Sequence, residues 1–363
     1  MMKAIVYESC GSPDVLRCRE IDKPVPADSQ LLIKVRAASV NPLEVAQAKG
    51  IPYLARVIFG LRKPEKGHPQ QLGVDVSGEV EGVGAKVTRF KPGDTVFGVC
   101  INDPRATGAK AWVHDGGSFA EYVCAPETAL SHKPKNISFE QAGAVGVAGV
   151  TALQALRDRG HIQAGQKVLV NGAAGGVGTF AVQIARAFGA EVTAVCSTRN
   201  LEMVRSIGAD RVIDYTQQDF TRLDDKYELI LDCVANHSLL ECRRVLTPEG
   251  VLVMAGDLTG RGAGAIMSRL ASALVLTRVT SRRFTTFLAR PRQEDLVALC
   301  ELMEAGKVTP VVDRCYPLTQ VPDALRYLEQ KHARGKVVIR VGEECAHEPE
   351  DNAEPSPAAL TSI

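Results

Sequence analysis

A buried strand that runs through a glycine-rich turn directly into a helix is the feature that most constrains this chain. Residues 168–178 read VLVNGAAGGVG, and the apolar periodic run 179–188 follows. Glycines allow a tight turn and a close backbone approach to a diphosphate, whose charge the free N–H groups of the helix start bind. A plain strand-to-helix turn is the alternative, but both flanking elements lie where dinucleotide binding requires them. The predicted cofactor contacts of this turn are Ala174, Gly175, Gly176 and Val177.

The end of the next strand indicates which dinucleotide binds. That strand ends VCSTR at 195–199, and no carboxylate occurs before Glu202. NAD sites usually place Asp or Glu about 20 residues after the glycines, on the ribose 2′-OH. Ser197 and Arg199 instead suit a 2′-phosphate, which favours NADP(H). The alternative is that Ser197 only caps the next helix and that Arg199 is solvated.

The pattern of apolar runs divides the chain. The first ~125 residues hold many short runs separated by Gly and Pro, which predicts a β-rich barrel or pair of sheets. Ser138–Gln141 predicts a capping box at the start of a helix of small residues. From 167 onward strands alternate with helices, which predicts a parallel sheet covered on both faces. The predicted strands are 167–172, 191–197, 211–215, 227–234 and 250–256.

Further motifs occur in order along the chain. They are GVDVSGEVEGVGAKV at 73–87, FKPGDTVFG at 90–98, GSFAEY at 117–122 and GVTAL at 149–153. With the glycine-rich turn, they make the chain resemble the medium-chain dehydrogenase/reductase superfamily. The resemblance implies an α/β fold, with a Rossmann doubly wound parallel sheet inserted in a β-rich GroES-like catalytic domain.

The same resemblance implies domain boundaries and further cofactor contacts. Residues 1–127 would be the first part of the GroES-like domain, 128–290 the Rossmann NADP-binding domain and 291–342 a return segment that completes the fold. The tail 343–363 is acidic and rich in Pro, Ser and Ala, which predicts disorder. The implied contacts, each of which could instead be a packing or turn residue, are Thr151, Tyr215, Val234, Gly256 and Lys336.

Two positions at which the alcohol dehydrogenases of this superfamily bind catalytic zinc carry other residues here. The signature His is replaced by Val74 and the first Cys by Asn41, and the four-cysteine structural loop is absent. The seven His and ten Cys show no C-x2-C or H-x3-H spacing. We therefore expect no metal, and the chain resembles the zinc-independent quinone oxidoreductase branch, which includes zeta-crystallin-like enzymes.

Asn41-Pro-Leu-Glu44 is similar to the Asn-Pro-x-Asp segment of that branch. The resemblance implies that Asn41 lies beside the nicotinamide and hydrogen-bonds the substrate oxygen or the carboxamide. Without a Lewis acid the acceptor must already be electrophilic, such as a quinone or an α,β-unsaturated carbonyl. Asn41 and Tyr53 are the candidate donors to its oxygen. The alternatives are that Asn41-Pro42 only forms a turn and that Tyr53 is a half-buried structural residue.

The predicted function is therefore an NADPH-dependent reductase of a small-molecule electrophile. The alternatives are an NAD(P)-dependent alcohol dehydrogenase or enoyl-thioester reductase, and a non-catalytic NADPH-binding sensor or assembly factor. The net charge of +1 argues against a nucleic-acid partner, and no apolar run is long enough for a transmembrane segment. Scattered cysteines and the absence of a signal-peptide pattern predict a cytoplasmic protein, with a homodimer possible.

The stretch 258–292 contains seven arginines and no acid. A solvated basic face is the preferred interpretation. A gate for an acidic or bulky substrate and a membrane-surface patch for a lipid quinone are the alternatives.

Overall fold

The computed structural model describes residues 1–50, 67, 69–101, 116–255 and 263–342, with the backbone alone at 263–266. Within these ranges no helix combines the length and apolar character needed to cross a bilayer. The tail 343–363 lies outside the described residues. The domain boundaries at 127, 290 and 342 stay a prediction.

The N-terminal part of the chain is built of short strands, as its alternating apolar runs predict. These strands are β1 (Met2–Tyr7), β2 (Arg17–Ile21), β3 (Gln30–Val40), β4 (Gln70–Gln71), β5 (Asp75–Val83), β6 (Thr95–Val99), β7 (Tyr122–Pro126) and β8 (Leu130–His132). A three-stranded sheet has the order β2-β1-β4, and β3, β5, β6 and β8 are neighbours in a second sheet, with β7 paired to β3.

The middle of the chain forms the predicted parallel sheet. Its strands are β9 (Lys167–Asn171), β10 (Glu191–Cys196), β11 (Arg211–Asp214), β12 (Tyr227–Asp232), β13 (Leu246–Met254) and β14 (Arg283–Thr286). Their order, β11-β10-β9-β12-β13-β14, is the doubly wound order 3-2-1-4-5-6, and every pairing is parallel. In this topology the strand order reverses between β9 and β12, and ligands bind outside the carboxyl ends of the strands at that point. The predicted fold class is confirmed.

The last two strands return to the N-terminal sheet. They are β15 (Val312–Pro317) and β16 (Lys336–Arg340). β16 pairs antiparallel with β3, Val337 lying opposite Val40, and β15 pairs parallel with β16. The return of the chain therefore places Lys336, the first residue of β16, beside the end of β3.

Nine α-helices lie in the described ranges. They are α1 (Pro42–Lys49), α2 (Phe139–Gly143), α3 (Gly146–Gln154), α4 (Gly176–Ala187), α5 (Leu201–Ser206), α6 (Leu239–Arg244), α7 (Ala263–Val279), α8 (Gln293–Glu304) and α9 (Val321–Glu329). The largest core cluster packs α3, α4 and α8 against the β9–β12 part of the sheet. Its fully buried members include Leu153, Val170, Phe180, Leu231 and Leu299.

The capping box at Ser138 is confirmed. Its hydroxyl accepts from the N–H of Gln141 at 3.2 Å, and the Gln141 side chain accepts from the Ser138 N–H at 3.0 Å. The single helix expected after it is two helices, because α2 ends at Gly143 and α3 begins at Gly146. Both glycines touch the N-terminal sheet: a Cβ on Gly146 would lie 2.4 Å from the Asp75 carboxylate. The break lets α3 approach β5 closely.

Candidate active site

The glycine-rich turn joins the carboxyl end of β9 to the start of α4. Gly172 has a φ of +85°, a left-handed conformation that favours glycine. A Cβ on Gly178 would lie 2.1 Å from the carbonyl oxygen of Gly172, so the helix and the turn leave no room for a side chain. The Thr179 N–H donates to the Gly175 oxygen at 2.9 Å and is the first bond of the helix. The N–H groups before it that helix geometry leaves free for an anion include those of Val177 and Gly178.

The space beside this turn fits a diphosphate. A Cβ on Gly175 would lie 3.5 Å from the nearest atom that the structure describes there, and one on Gly176 would lie 3.0 Å from the flexible Lys336 side chain and 3.6 Å from the Gly335 carbonyl oxygen. Ala174 is 7% exposed, and its backbone binds the return segment: its carbonyl oxygen accepts from the Gly335 N–H at 2.8 Å. The turn is therefore open at Gly175, and the flexible Lys336 side chain covers it at Gly176.

The end of β10 places the two residues predicted to bind a 2′-phosphate outside the sheet. Ser197 is half-buried and accepts from the Asn200 side chain at 3.1 Å, whereas Arg199 is exposed and donates to the His332 carbonyl oxygen at 2.9 Å. A carboxylate that the sequence reasoning did not consider, Asp214, ends the neighbouring strand β11. Thr198 donates to it at 2.5 Å, which helps to lower the pKa of Asp214. Asp214 is thus engaged by local hydroxyls.

A cluster of buried polar side chains lies where β3 meets α1. Asn41, 4% exposed, precedes α1, and its carboxamide nitrogen donates to the Asp75 carboxylate at 3.1 Å. Other acceptors for this nitrogen are more distant, at 3.4 Å on Glu44 and 3.5 Å on Ser39. The carboxamide oxygen accepts from the Lys336 ammonium at 2.5 Å. One N–H of Asn41 therefore makes a good hydrogen bond, and the second has only long contacts among the residues that the structure describes.

Lys336 connects this cluster to the dinucleotide turn. Its ammonium, on a side chain 4% exposed, also donates to Asp75 at 3.1 Å. The preceding residue, Gly335, has a φ of +84° and bridges to Gly175. A Cβ on Gly335 would lie 2.3 Å from the Val311 carbonyl oxygen, so only glycine allows this approach. The return segment thus brings one cation to the turn and to Asn41.

The cluster contains two carboxylates and one cation, all buried. Glu44 is 0% exposed, and burial, with the neighbouring Asp75 charge as the second cause, raises its pKa to about 7. The Glu44 carboxylate also accepts from the backbone N–H groups of Asn41 at 2.9 Å and Val74 at 3.1 Å. Those bonds and the Lys336 charge limit the rise in its pKa. Near neutral pH the cluster therefore holds a group that can gain or lose a proton.

A second buried network lies at the carboxyl ends of β9 and β12. Asp232, 1% exposed, accepts from the Asn171 side chain at 2.9 Å and from the Arg269 guanidinium at 2.8 Å. Arg269, on α7, also donates to the His237 carbonyl oxygen at 2.7 Å, and its side chain is 12% exposed. The interpretation of 258–292 as a solvated basic face is wrong for this residue. It is also wrong for Arg292, which contacts three carboxylates.

The other predicted cofactor contacts are scattered around the same edge of the sheet. Thr151 is half-buried on α3, and its hydroxyl donates to the Val147 carbonyl oxygen at 2.7 Å. Tyr215 is 58% exposed after β11, and Val234 is 43% exposed beside Gly172. The remaining two predicted residues, Tyr53 and Gly256, lie outside the described residues.

Sequence reasoning missed Asp75, Glu44, Asp232, Arg269 and Asn171. For Asp75 a signal was present, because a charged residue between the apolar Val74 and Val76 is costly to bury unless it has partners. Asp232 gives the same signal at the end of an apolar strand. The partners, which come from distant parts of the chain, carry no such signal.

Comparison with known proteins agrees with this arrangement. Residues 27–135 match the family model described as alcohol dehydrogenase GroES-like domain, and residues 207–339 match the one described as zinc-binding dehydrogenase. A 2-methylene-furan-3-one reductase from Solanum lycopersicum is 35% identical over 343 residues, covering 93% of this chain and 79% of that protein. A chloroplastic NADPH-dependent alkenal/one oxidoreductase from Arabidopsis thaliana is 36% identical with the same coverage.

The solved structures include a quinone oxidoreductase from Coxiella burnetii. It is 30% identical, with a TM-score of 0.77, and the match covers 94% of this chain and 99% of that one. The chain belongs to the zinc-independent quinone oxidoreductase branch of the medium-chain dehydrogenase/reductase superfamily.

Within this superfamily, the position of the signature zinc ligand is filled by an apolar side chain here. Val74 is 0% exposed and packs in the main core cluster. The position of the first cysteine ligand is Asn41, whose side chain is engaged by Asp75 and Lys336. In the described residues no group of three or more His, Cys, Asp or Glu side chains is placed to hold a metal ion.

Proposed function

We propose that this protein transfers a hydride from NADPH to a quinone or an α,β-unsaturated carbonyl without zinc. The observation that carries the proposal is the contact between the glycine-rich turn and the Asn41 cluster through Gly335 and Lys336. This contact supports the proposal because the glycine-rich turn and buried hydrogen-bond donors lie beside each other. The names of the tomato and Arabidopsis relatives, an enone-type reductase and an NADPH-dependent alkenal/one oxidoreductase, support the acceptor class and the cofactor.

In this proposal the chain's residues bind and orient the cofactor. The N–H groups at the start of α4 hold the diphosphate, and Ser197 and Arg199 hold the 2′-phosphate. Arg199 is exposed, and its partner among the described residues is a backbone carbonyl, so its charge is available. The remaining proposed contacts are Thr151, Tyr215, Val234, Gly256 and Lys336.

Bound NADPH would supply the hydride, and the acceptor would take up that hydride and one proton. Negative charge then develops on the acceptor oxygen, and the chain must stabilise it with hydrogen bonds. The second N–H of Asn41, whose contacts in the part of the chain that the structure describes are 3.4 and 3.5 Å long, is the proposed donor. Tyr53 is retained as a proposed proton donor. Without a Lewis acid, only an acceptor that is already electrophilic reacts.

The experiment that tests the function measures NADPH oxidation by the purified full chain. The acceptors are 1,4-naphthoquinone, methyl vinyl ketone, a saturated aldehyde and an enoyl thioester, each with a no-enzyme control. We expect turnover with the quinone or the enone and none with the saturated aldehyde. Binding of NADPH without turnover of any acceptor would instead support the non-catalytic alternative. Turnover of the aldehyde, with zinc bound in stoichiometric amount, would support an alcohol dehydrogenase.

Cofactor choice is tested separately by binding. NADPH and NADH are titrated against the wild-type chain and the Arg199→Ala variant, with nicotinamide fluorescence as the readout. We expect tighter binding of NADPH by the wild type and a loss of that preference in the variant, because the 2′-phosphate loses its cation. Equal affinities in the wild type would refute the NADP(H) assignment.

Two further proposals concern the setting in which the protein acts. The described cysteines are all free thiols, which supports a reducing compartment such as the cytoplasm. A small-molecule electrophile as partner, no nucleic acid and a possible homodimer stay predictions.

A further inference from the structure

Asp75 is the residue around which the candidate site is assembled. It is the first residue of β5, is 0% exposed and lies opposite Ser39 on β3. One of its carboxylate oxygens accepts from the Ser39 hydroxyl at 2.5 Å, from the Asn41 carboxamide at 3.1 Å and from the Lys336 ammonium at 3.1 Å. The other accepts from the backbone N–H of Val147 at 2.6 Å. These partners come from β3, from the residue before α1, from α3 and from β16.

The Val147 bond ties Asp75 to the helix that carries Thr151. Val147 is in the first turn of α3, and its own carbonyl oxygen accepts from the Thr151 hydroxyl. Gly146 makes the approach possible, because any Cβ there would clash with the Asp75 carboxylate. A carboxylate beside a helix N-terminus is also favoured by the helix dipole. Asp75 therefore fixes the place of a second proposed cofactor contact.

The Lys336 bond ties Asp75 to the dinucleotide turn. Lys336 divides its ammonium between Asp75 and the Asn41 carboxamide oxygen, while its methylene chain passes Gly176. An amide whose oxygen accepts from a cation and whose nitrogen donates to an anion can adopt only one of its two flipped orientations. The pair therefore determines that the Asn41 nitrogen, and not its oxygen, faces Asp75 and Glu44.

We propose that Asp75 is a positioning residue of the hydride-transfer site. Its carboxylate holds the Asn41 carboxamide, the Lys336 ammonium and the start of α3 in one arrangement. The inference rests on the proposed function and names a residue that acts through others. A buried ion pair contributes little net stability over an apolar replacement, so stability alone does not explain why a carboxylate is buried at position 75. The orientation of Asn41 explains the buried carboxylate, because a misplacement of about 1 Å in such a site costs about 100-fold in rate.

The main variant is Asp75→Asn, which keeps the shape and removes the charge. Asp295→Asn is the matched control: Asp295 is also 0% exposed and bonded to arginines, but its partners are Gln154, Arg157 and Arg292. With methyl vinyl ketone and NADPH, we expect kcat of Asp75→Asn to fall at least about tenfold, with the Kd for NADPH within about threefold of wild type. We expect the control to lower the melting temperature but to leave kcat within about twofold.

A pH profile tests whether Glu44 and Asp75 act together on the site. The charged groups that face Glu44 in the described residues are Asp75 and Lys336, and Cys100 beside Asp75 has a pKa raised by burial and stays a neutral thiol. Protonation of Glu44 weakens its bonds from the backbone N–H groups of Asn41 and Val74, which hold the backbone at Asn41, so kcat/KM of the wild type should fall as the pH drops through about 7. In Asp75→Asn this limb should move to lower pH, because the repelling charge is gone, and in Glu44→Gln it should disappear. The shift tests the contact between the two carboxylates, and the fall in kcat at an unchanged NADPH Kd separates positioning from a structural role.

If Asp75→Asn does not fold, Ser39→Ala removes a single bond to the same carboxylate. We expect this variant to lower kcat about three- to tenfold without a change in the NADPH Kd. Wild-type kcat in whichever of these variants folds would overturn the proposal.

Failure of the proposed function has a different signature. The wild type would then bind NADPH but reduce none of the acceptors. In that case the fluorescence emission of bound NADPH tests the positioning proposal. The emission in Asp75→Asn should differ from that in wild type, and the emission in Asp295→Asn should not. Identical emission in Asp75→Asn and wild type would overturn it.

Discussion

Replacing Glu44 by glutamine tests whether the buried cluster holds an excess of negative charge. Glu44 is 0% exposed and faces the Asp75 carboxylate, and burial and that charge raise its pKa from 4.5 to about 7. Because the folded-state pKa is the higher one, the folded protein binds this proton more tightly than the unfolded chain does. The stability from Glu44 is therefore complete below about pH 4.5 and is lost as the pH rises through about 7.

The size of the effect follows from the shift. At about 1.4 kcal/mol per pKa unit, the rise to about 7 corresponds to about 3 kcal/mol over the whole window. About 2.5 kcal/mol of it falls between about pH 5 and about pH 8. Glutamine does not titrate. Between about pH 5 and about pH 8, the unfolding free energy of Glu44→Gln should therefore rise by about 2.5 kcal/mol relative to that of wild type.

The assay is urea unfolding of both proteins at about pH 5 and about pH 8, followed by circular dichroism. Any loss of hydrogen bonds in the variant is the same at both pH values and cancels in the comparison. Glu241→Gln is the control, since Glu241 is also the third residue of a helix with a capping box, but its pKa is lowered by bonds from Ser238. A free-energy difference for Glu44→Gln that is constant between the two pH values would refute a raised pKa.

Three further predictions follow from the geometry. Gly178→Ala should lower the melting temperature and abolish NADPH binding, because its Cβ would lie 2.1 Å from a backbone carbonyl oxygen; Gly82→Ala, where the nearest atom would be 4.0 Å away, should do neither. Arg269→Met should destabilise the protein by about 3–5 kcal/mol in urea unfolding, because Asp232 keeps a buried, unpaired charge, and adding Asp232→Asn should recover most of the loss; no recovery would contradict the ion-pair explanation. Arg199→Ala should leave the melting temperature within about 1 °C of wild type, since the exposed side chain has a single backbone contact, and a larger fall in a thermal scan would show a structural role.

Much of the fold could be predicted from local patterns. The apolar runs that became β9, β10 and β12 are short, β-branched and bounded by turn residues, and a parallel sheet follows from their alternation with helices. The single helix expected after Ser138 became two, because Gly143 and Gly146 contact the N-terminal sheet. A local pattern cannot contain that information, since the contact joins residues more than 70 positions apart.

The candidate site was predicted less completely. Asn41 and Lys336 were expected from resemblance, and the structure brings their side chains to 2.5 Å from one another. Asp75 lies inside the motif at 73–87, in which the missing His at position 74 is the more obvious feature. The pairing of Arg269 with Asp232 had no sequence signal, because an arginine in an acid-free stretch is expected to be solvated.

The sequence by itself determined the glycine-rich turn, the class of fold and the absence of the familiar ligands at 41 and 74. Each of these depends on the identity of residues close together in the chain, through backbone conformation, periodicity or side-chain chemistry. Only the tertiary structure decided which charges meet. Lys336 reaches Asp75 and Asn41 across more than 250 residues because β16 returns to pair with β3, and the energy of a buried charge depends on its partners in space, not on its neighbours in sequence.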